Sequence, residues 1–342
     1  MDAKSELGSR SARMRVAALM ATCLLALLAG CGNCSATAGG GVLPAGRIAF
    51  AGHGYSEDVD VIDLDSMTIV ATITGAGGYR MVLSPDGDTL YSTGGDDLVY
   101  VSDARTFTLT SSFDPSAGFA GITSSELEAI AINPAGTRVY VFDESGDTAI
   151  FVLDTASNTV IAAQGLALDE PENAVVSPDG AFVYVVDNSV IAKVSTASLS
   201  IVDTVAVGSD AHGIALNGSG THVYAKGTSD GIDVFDTATL GFVTNIPTGS
   251  GSFAIGYYLD NRPGSSRLYG VDERFTLSVM NSGANTLIQD VTLSLTDARG
   301  VFAAPGGSPV VVTSGDGLVK IDAITFAELG SMPGRYQGLV IR

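Results

Sequence analysis

Two glutamates, a histidine and an arginine stand out along this chain because they recur in phase: Glu128, Glu172, His212 and Arg299. They occupy equivalent positions in successive copies of an internal repeat. With the copies aligned on their turns, the set is Gln337, Tyr79, Glu128, Glu172, His212, Phe253 and Arg299, in order from unit one to unit seven. Two carboxylates beside an imidazole suit general acid/base work or weak cation binding, and an arginine across the ring suits a ligand anion. The competing reading is a channel mouth whose polar residues are merely solvated.

Other patterns that could do chemistry fall short. Gly227-Thr228-Ser229-Asp230-Gly231 fits the nucleophile elbow by letters, but it lies between two strands, whereas an elbow needs a strand-to-helix turn. The only histidines are His53, His212 and His222, too few for a protein-ligated transition-metal cluster. His53 lies between glycines with no visible partner, and His222 reads as a surface residue. The acidic stretches Ser56-Glu57-Asp58 and Gly94-Gly95-Asp96-Asp97 lack the ligand spacing of a dedicated calcium loop. No catalytic residue, metal or cofactor is expected.

The elements that must position the ring are strands. An apolar run, an Asp-like residue and a polar turn recur at Asp63, Asp103, Asp154, Ser195, Asp236, Asn281 and Asp322. In phase with them, Ser84-Pro85-Asp86-Gly87, Asn133-Pro134-Ala135-Gly136, Ser177-Pro178-Asp179-Gly180 and Asn217-Gly218-Ser219-Gly220 each precede a strand carrying a tyrosine. Units six and seven have looser equivalents at Pro263 and Pro305. Proline presets the first turn position and glycine accepts positive φ, so each tetrad turns one strand into the next. The recurrent aspartates read as closing Asx-turns on their own backbone rather than as catalytic acids. Four short β-branched runs per unit, with no sustained helical period, give an all-β fold: a seven-bladed β-propeller of four-stranded antiparallel blades. Unit one begins at Arg47 without an innermost strand, and Gln337 to Ile341 supplies a spare one at the other end, so the C-terminal strand is expected to complete blade one.

Ahead of this domain, Arg10, Arg13 and Arg15 precede the apolar run Val16 to Ala29, the pattern of an export signal and too short to span a bilayer. Leu28-Ala29-Gly30-Cys31 resembles the bacterial lipobox, which implies lipidation at Cys31. The expected organisation is a signal peptide at 1–30, a flexible tether at 31–46 and the propeller at 47–342. The tether gives roughly 20 Å of root-mean-square reach. Cys23 and Cys31 would be removed or lipidated, leaving Cys34 alone and the domain without an internal disulfide. Segments such as Val183-Tyr184-Val185-Val186-Asp187 and Ile232-Asp233-Val234-Phe235-Asp236 resemble the YVTN-type seven-bladed propeller repeats of exported proteins, a likeness that covers roughly residues 47 to 342.

Charge narrows the partners. The chain has 17 Lys+Arg against 37 Asp+Glu, a net charge of −20, and a surface of that sign repels nucleic acid. The leading expectation is a monomeric, membrane-tethered, noncatalytic binding or scaffold module for a protein, glycan or small ligand, exported to the periplasm or cell surface. The alternative is an enzyme resembling the propeller lactonases and muconate-lactonising enzymes, which use Glu, His and Arg at a central pocket.

Overall fold

The computed structural model describes residues 46–53, 58–144, 148–227, 231–248, 255–260, 266–272, 275–296 and 298–342, with 255–260 described by backbone alone. The export signal, the tether, Cys31 and Phe253 lie outside them. The described strands form seven four-stranded antiparallel sheets. Each of blades two to seven is laid down in sequence from its innermost strand outward. The inner strands are Met81–Leu83, Leu127–Ile132, Pro171–Val176, Ile214–Leu216, Ile255–Asp260 and Ala298–Ala303. Blade one takes its inner strand, Gly338–Ile341, from the far end of the chain.

That strand pairs antiparallel with Ile48–Gly52, Ala49 opposite Ile341 and Ala51 opposite Leu339. The backbone bonds Gln337 N to Gly52 O and Arg342 N to Ile48 O bracket the ladder at 3.0 and 2.8 Å. The closure anticipated from the chain ends is therefore present.

The repeat phasing is visible in the backbone. Each outer hairpin carries one residue at positive φ, namely Met67, Phe107, Asn158, Leu199, Leu240, Asn285 and Phe326. Asp63, Asp103, Asp154, Asp236 and Asp322 hold these turns by accepting two backbone N–H groups each. Local bonds to the charged carboxylate keep Asp103, Asp154, Asp236 and Asp322 below the usual carboxyl range.

Neighbouring blades share apolar clusters, such as Tyr91, Val101, Val141 and Phe151 between blades two and three. Polar ties complement them: Tyr184 Oη and Lys193 Nζ both donate to Thr237 O in the next blade, and Lys320 Nζ closes the ring onto Leu64 O. The outermost strands face solvent, as in the almost wholly exposed Thr108–Phe113.

Candidate functional site

At the end of the channel where the inner strands begin, the backbone departs from regular pairing. Leu127 pairs with Asp143 and Ala129 with Phe142, so Glu128 is the extra residue of a β-bulge. Glu172 lies in the same irregularity between Pro171 and Asn173, and Arg299 between Ala298 and Gly300. A bulge adds a residue that the ladder does not use and turns its side chain out of the alternation. The two glutamates are thereby brought to a common guanidinium.

The guanidinium belongs to Arg80, which sequence reasoning missed. Its Nη2 lies 3.2 Å from Glu128 Oε2 and 3.4 Å from Glu172 Oε2, and its Nε donates to Glu128 O at 2.7 Å. His212 Nδ1 lies 2.9 Å from the same Glu172 oxygen. The Tyr79 ring stacks under the guanidinium, with Arg80 Cζ 4.9 Å from its centroid. These side chains are largely shielded, with exposures of 13% for Arg80, 17% for Glu128, 18% for Glu172 and 25% for His212.

Arg80 departs from its counterparts in the repeat. The residue that follows the ring position is Ala129, Asn173, Gly213, Gly300 or Gly338 in other blades. A Cβ on Gly338 would fall 2.7 Å from Tyr79 O, and one on Gly300 would meet the Phe302 ring and Thr313 Oγ1.

Two buried aspartates hold the loops that deliver the glutamates. Asp143 accepts the backbone N–H groups of Ser125 and Glu126, and Asp187 those of Asp169 and Glu170. Both close the second strand of their blade, after Tyr140-Val141-Phe142 and Tyr184-Val185-Val186, a position in the repeat from which their role could have been read.

The remaining ring positions behave differently. Gln337 is half-buried and its side-chain oxygen is shielded from solvent without a hydrogen-bond partner. Arg299 is half-buried at its bulge. The expectation for His53 is corrected: it contacts Arg335 O at 3.0 Å and Asp60 Oδ2 at 2.9 Å, and it stacks near Tyr336. The ring thus belongs to the closure of blade one. His222, half-buried, contacts the Asn217 amide at 3.1 Å.

Acid dominates the electrostatics of this end. Burial pushes the Glu144 carboxyl up to about 7, aided by the negative charges of Glu128, Glu126, Glu172 and Glu170. Asp97 is raised in the same way, by burial and then by Asp143, Asp96, Glu126 and Asp114. Such a site favours a positive charge. The Glu172–His212 pair could also relay a proton.

No family model and no curated protein matches the chain. Among solved structures it is similar to Kuenenia stuttgartiensis hydrazine synthase, at 18% identity and a TM-score of 0.60 over 72% of this chain and 77% of that one. It is also similar to the dihydro-heme d1 dehydrogenase NirN in complex with DHE, at 13% identity and 0.58 over 85% and 74% of the respective chains. A functionally unknown protein from Desulfotomaculum acetoxidans DSM 771 gives 12% identity and 0.72 over 86% and 98%. At these identities the likeness shows the propeller fold alone, and the fold serves mixed functions.

Proposed function

We propose that this protein is an exported, lipid-anchored binding module without catalytic activity, whose acidic channel mouth takes up a cationic group of a protein or small-molecule partner. One observation carries the reading: the guanidinium of Arg80 is held jointly by Glu128 and Glu172, beside a Glu144 that burial, aided by the charges of Glu128, Glu126, Glu172 and Glu170, lifts to about 7. A second guanidinium or ammonium approaching Glu126, Glu144 and Glu170 meets the same field. The partner's lysines or arginines gain charge-assisted hydrogen bonds, and its encounter rate rises at low salt.

Titration of the protein with hexalysine and hexaglutamate peptides tests this. Hexalysine binds and weakens steeply between low and physiological salt, and hexaglutamate does not bind; equal behaviour of the two peptides contradicts the proposal. The Glu172–His212 contact at 2.9 Å favours a second reading, a lactonase-like acid/base site. Lactone hydrolysis that is lost in His212→Ala would establish it in place of the first.

A further inference from the structure

Arg80 occupies its site in the manner of a bound ligand. Its Nη2 bridges Glu128 Oε2 at 3.2 Å and Glu172 Oε2 at 3.4 Å, its Nε donates to Glu128 O at 2.7 Å, and its Cζ lies 4.9 Å from the Tyr79 ring centroid. His212 Nδ1, 2.9 Å from the shared Glu172 oxygen, orients that carboxylate. Two carboxylates, a carbonyl and an aromatic face make a cradle for one planar cation. An ammonium, a point charge without a flat face or a fixed fork of donors, matches it less well.

The blades do not require an arginine at this column, which elsewhere holds Ala129, Asn173, Gly213, Gly300 and Gly338. Bulges in blades three and four deliver the two carboxylates, and blade two supplies the aromatic face and the resident cation. Arg80 also has a polar place to go. The inner strand Met81–Leu83 pairs on one side only, with Thr89–Thr93, and the other inner strands are likewise paired on one side, so unpaired backbone groups line the channel. A chamber of about 190 Å³ beside Arg80 is walled by such edges at Val175, Val301 and Val340. A guanidinium turned into it meets backbone carbonyls and water in place of the carboxylates.

We propose that this cradle is the seat of an arginine side chain of a polypeptide partner, kept filled by Arg80 until the partner's guanidinium replaces it. The inference rests on the cation-binding reading above and adds to it a choice of arginine over lysine and a gate. Exchange of one guanidinium for another leaves neither Glu128 nor Glu172 uncompensated, whereas simple loss of Arg80 would. The resident side chain is an intramolecular competitor, so the affinity for a partner's arginine is lowered by the fraction of time the seat is filled.

Isothermal titration of hexaarginine and hexalysine into the full chain and into Arg80→Ala tests the proposal. Deleting the resident charge strengthens both peptides through the field alone, so the readout is the ratio of the two affinities. That ratio should shift toward hexaarginine by about ten-fold in Arg80→Ala, because the vacated seat accepts only the guanidinium. Solvent exchange of the Arg80 Nε–H in the wild type, followed by NMR, needs no variant. Saturating hexaarginine should speed it about ten-fold, as the bond to Glu128 O is given up, and hexalysine should leave it unchanged. A ratio that stays the same in a folded Arg80→Ala, or an Nε–H as protected with hexaarginine as without it, overturns the seat and leaves the acidic mouth standing. Binding of neither peptide to the wild type overturns both readings.

Discussion

Arg80 and Glu172 are separated by 92 positions in the sequence and by an entire intervening blade, yet Nη2 and Oε2 meet at 3.4 Å. The contact crosses from blade two to blade four and takes in Glu128 of blade three on the way. A single side chain thereby couples three blades at the mouth. Removing it should leave two shielded carboxylates facing each other.

Arg80→Ala should therefore destabilise the fold by about 2–3 kcal/mol, the scale of lost charged hydrogen bonds in a partly buried site. Arg80→Lys keeps the charge but cannot serve both glutamates and the Glu128 carbonyl, so it should fall between. Urea unfolding checks the order, and an Arg80→Ala midpoint equal to the wild type would contradict it.

Glu144 gives a pH dependence of known sign. Its carboxyl is raised from 4.5 to about 7 in the folded protein, so the folded state retains the proton longer than the unfolded chain does. The resulting stability is present at low pH and is lost as pH rises through about 7. Glu144→Gln, neutral throughout, should melt with the wild type at pH 4, below the unfolded carboxyl's 4.5, and above it at pH 8. Parallel melting curves for the two proteins across this range would refute the assignment.

Among the described residues, Tyr79, Glu128, Glu172, His212, Arg299 and Gln337 stand at or just before the start of their inner strands, a register the Pro/Gly tetrads and the Asp-led outer turns made legible; Phe253 lies outside the described residues. Arg80 was not legible, for it stands one residue further in, where the other blades carry Ala129, Asn173, Gly213, Gly300 and Gly338. A repeat alignment reads that column as a spacer, and nothing periodic encodes an arginine long enough to cross a blade. The bulges at Glu128 and Glu172 were equally hidden, since they arise from how Asp143 and Asp187 gather the incoming loops. His53 lacked a visible partner because one of its contacts, Arg335, comes from the opposite end of the chain.

Closure by the last strand should dominate stability. Leu339 and Ile341 are 1% and 2% exposed. Leu339→Ala should cost about 2–5 kcal/mol, and deletion of residues 337–342 should cost more, because the ladder to Ile48–Gly52 goes with it. Calorimetric melting of both variants is the check; a truncated chain that melts with the wild type would show that the ring does not depend on this strand.

Lipidation at Cys31 is proposed from the lipobox resemblance. Cys31→Ala should abolish metabolic labelling with a fatty acid and leave the signal peptide uncleaved. Persistent labelling in that variant would remove the anchor from the account.

The central claim is that the acidic mouth beside the Arg80 ion pairs, at Glu126, Glu144 and Glu170, is a binding site for cations. Isothermal titration of hexalysine into the wild type and into Glu126→Gln/Glu144→Gln/Glu170→Gln, at low salt, tests it most directly. The account predicts at least a ten-fold loss of affinity in the triple variant, provided a thermal melt shows it folded. Equal affinity in a folded triple variant would contradict the claim.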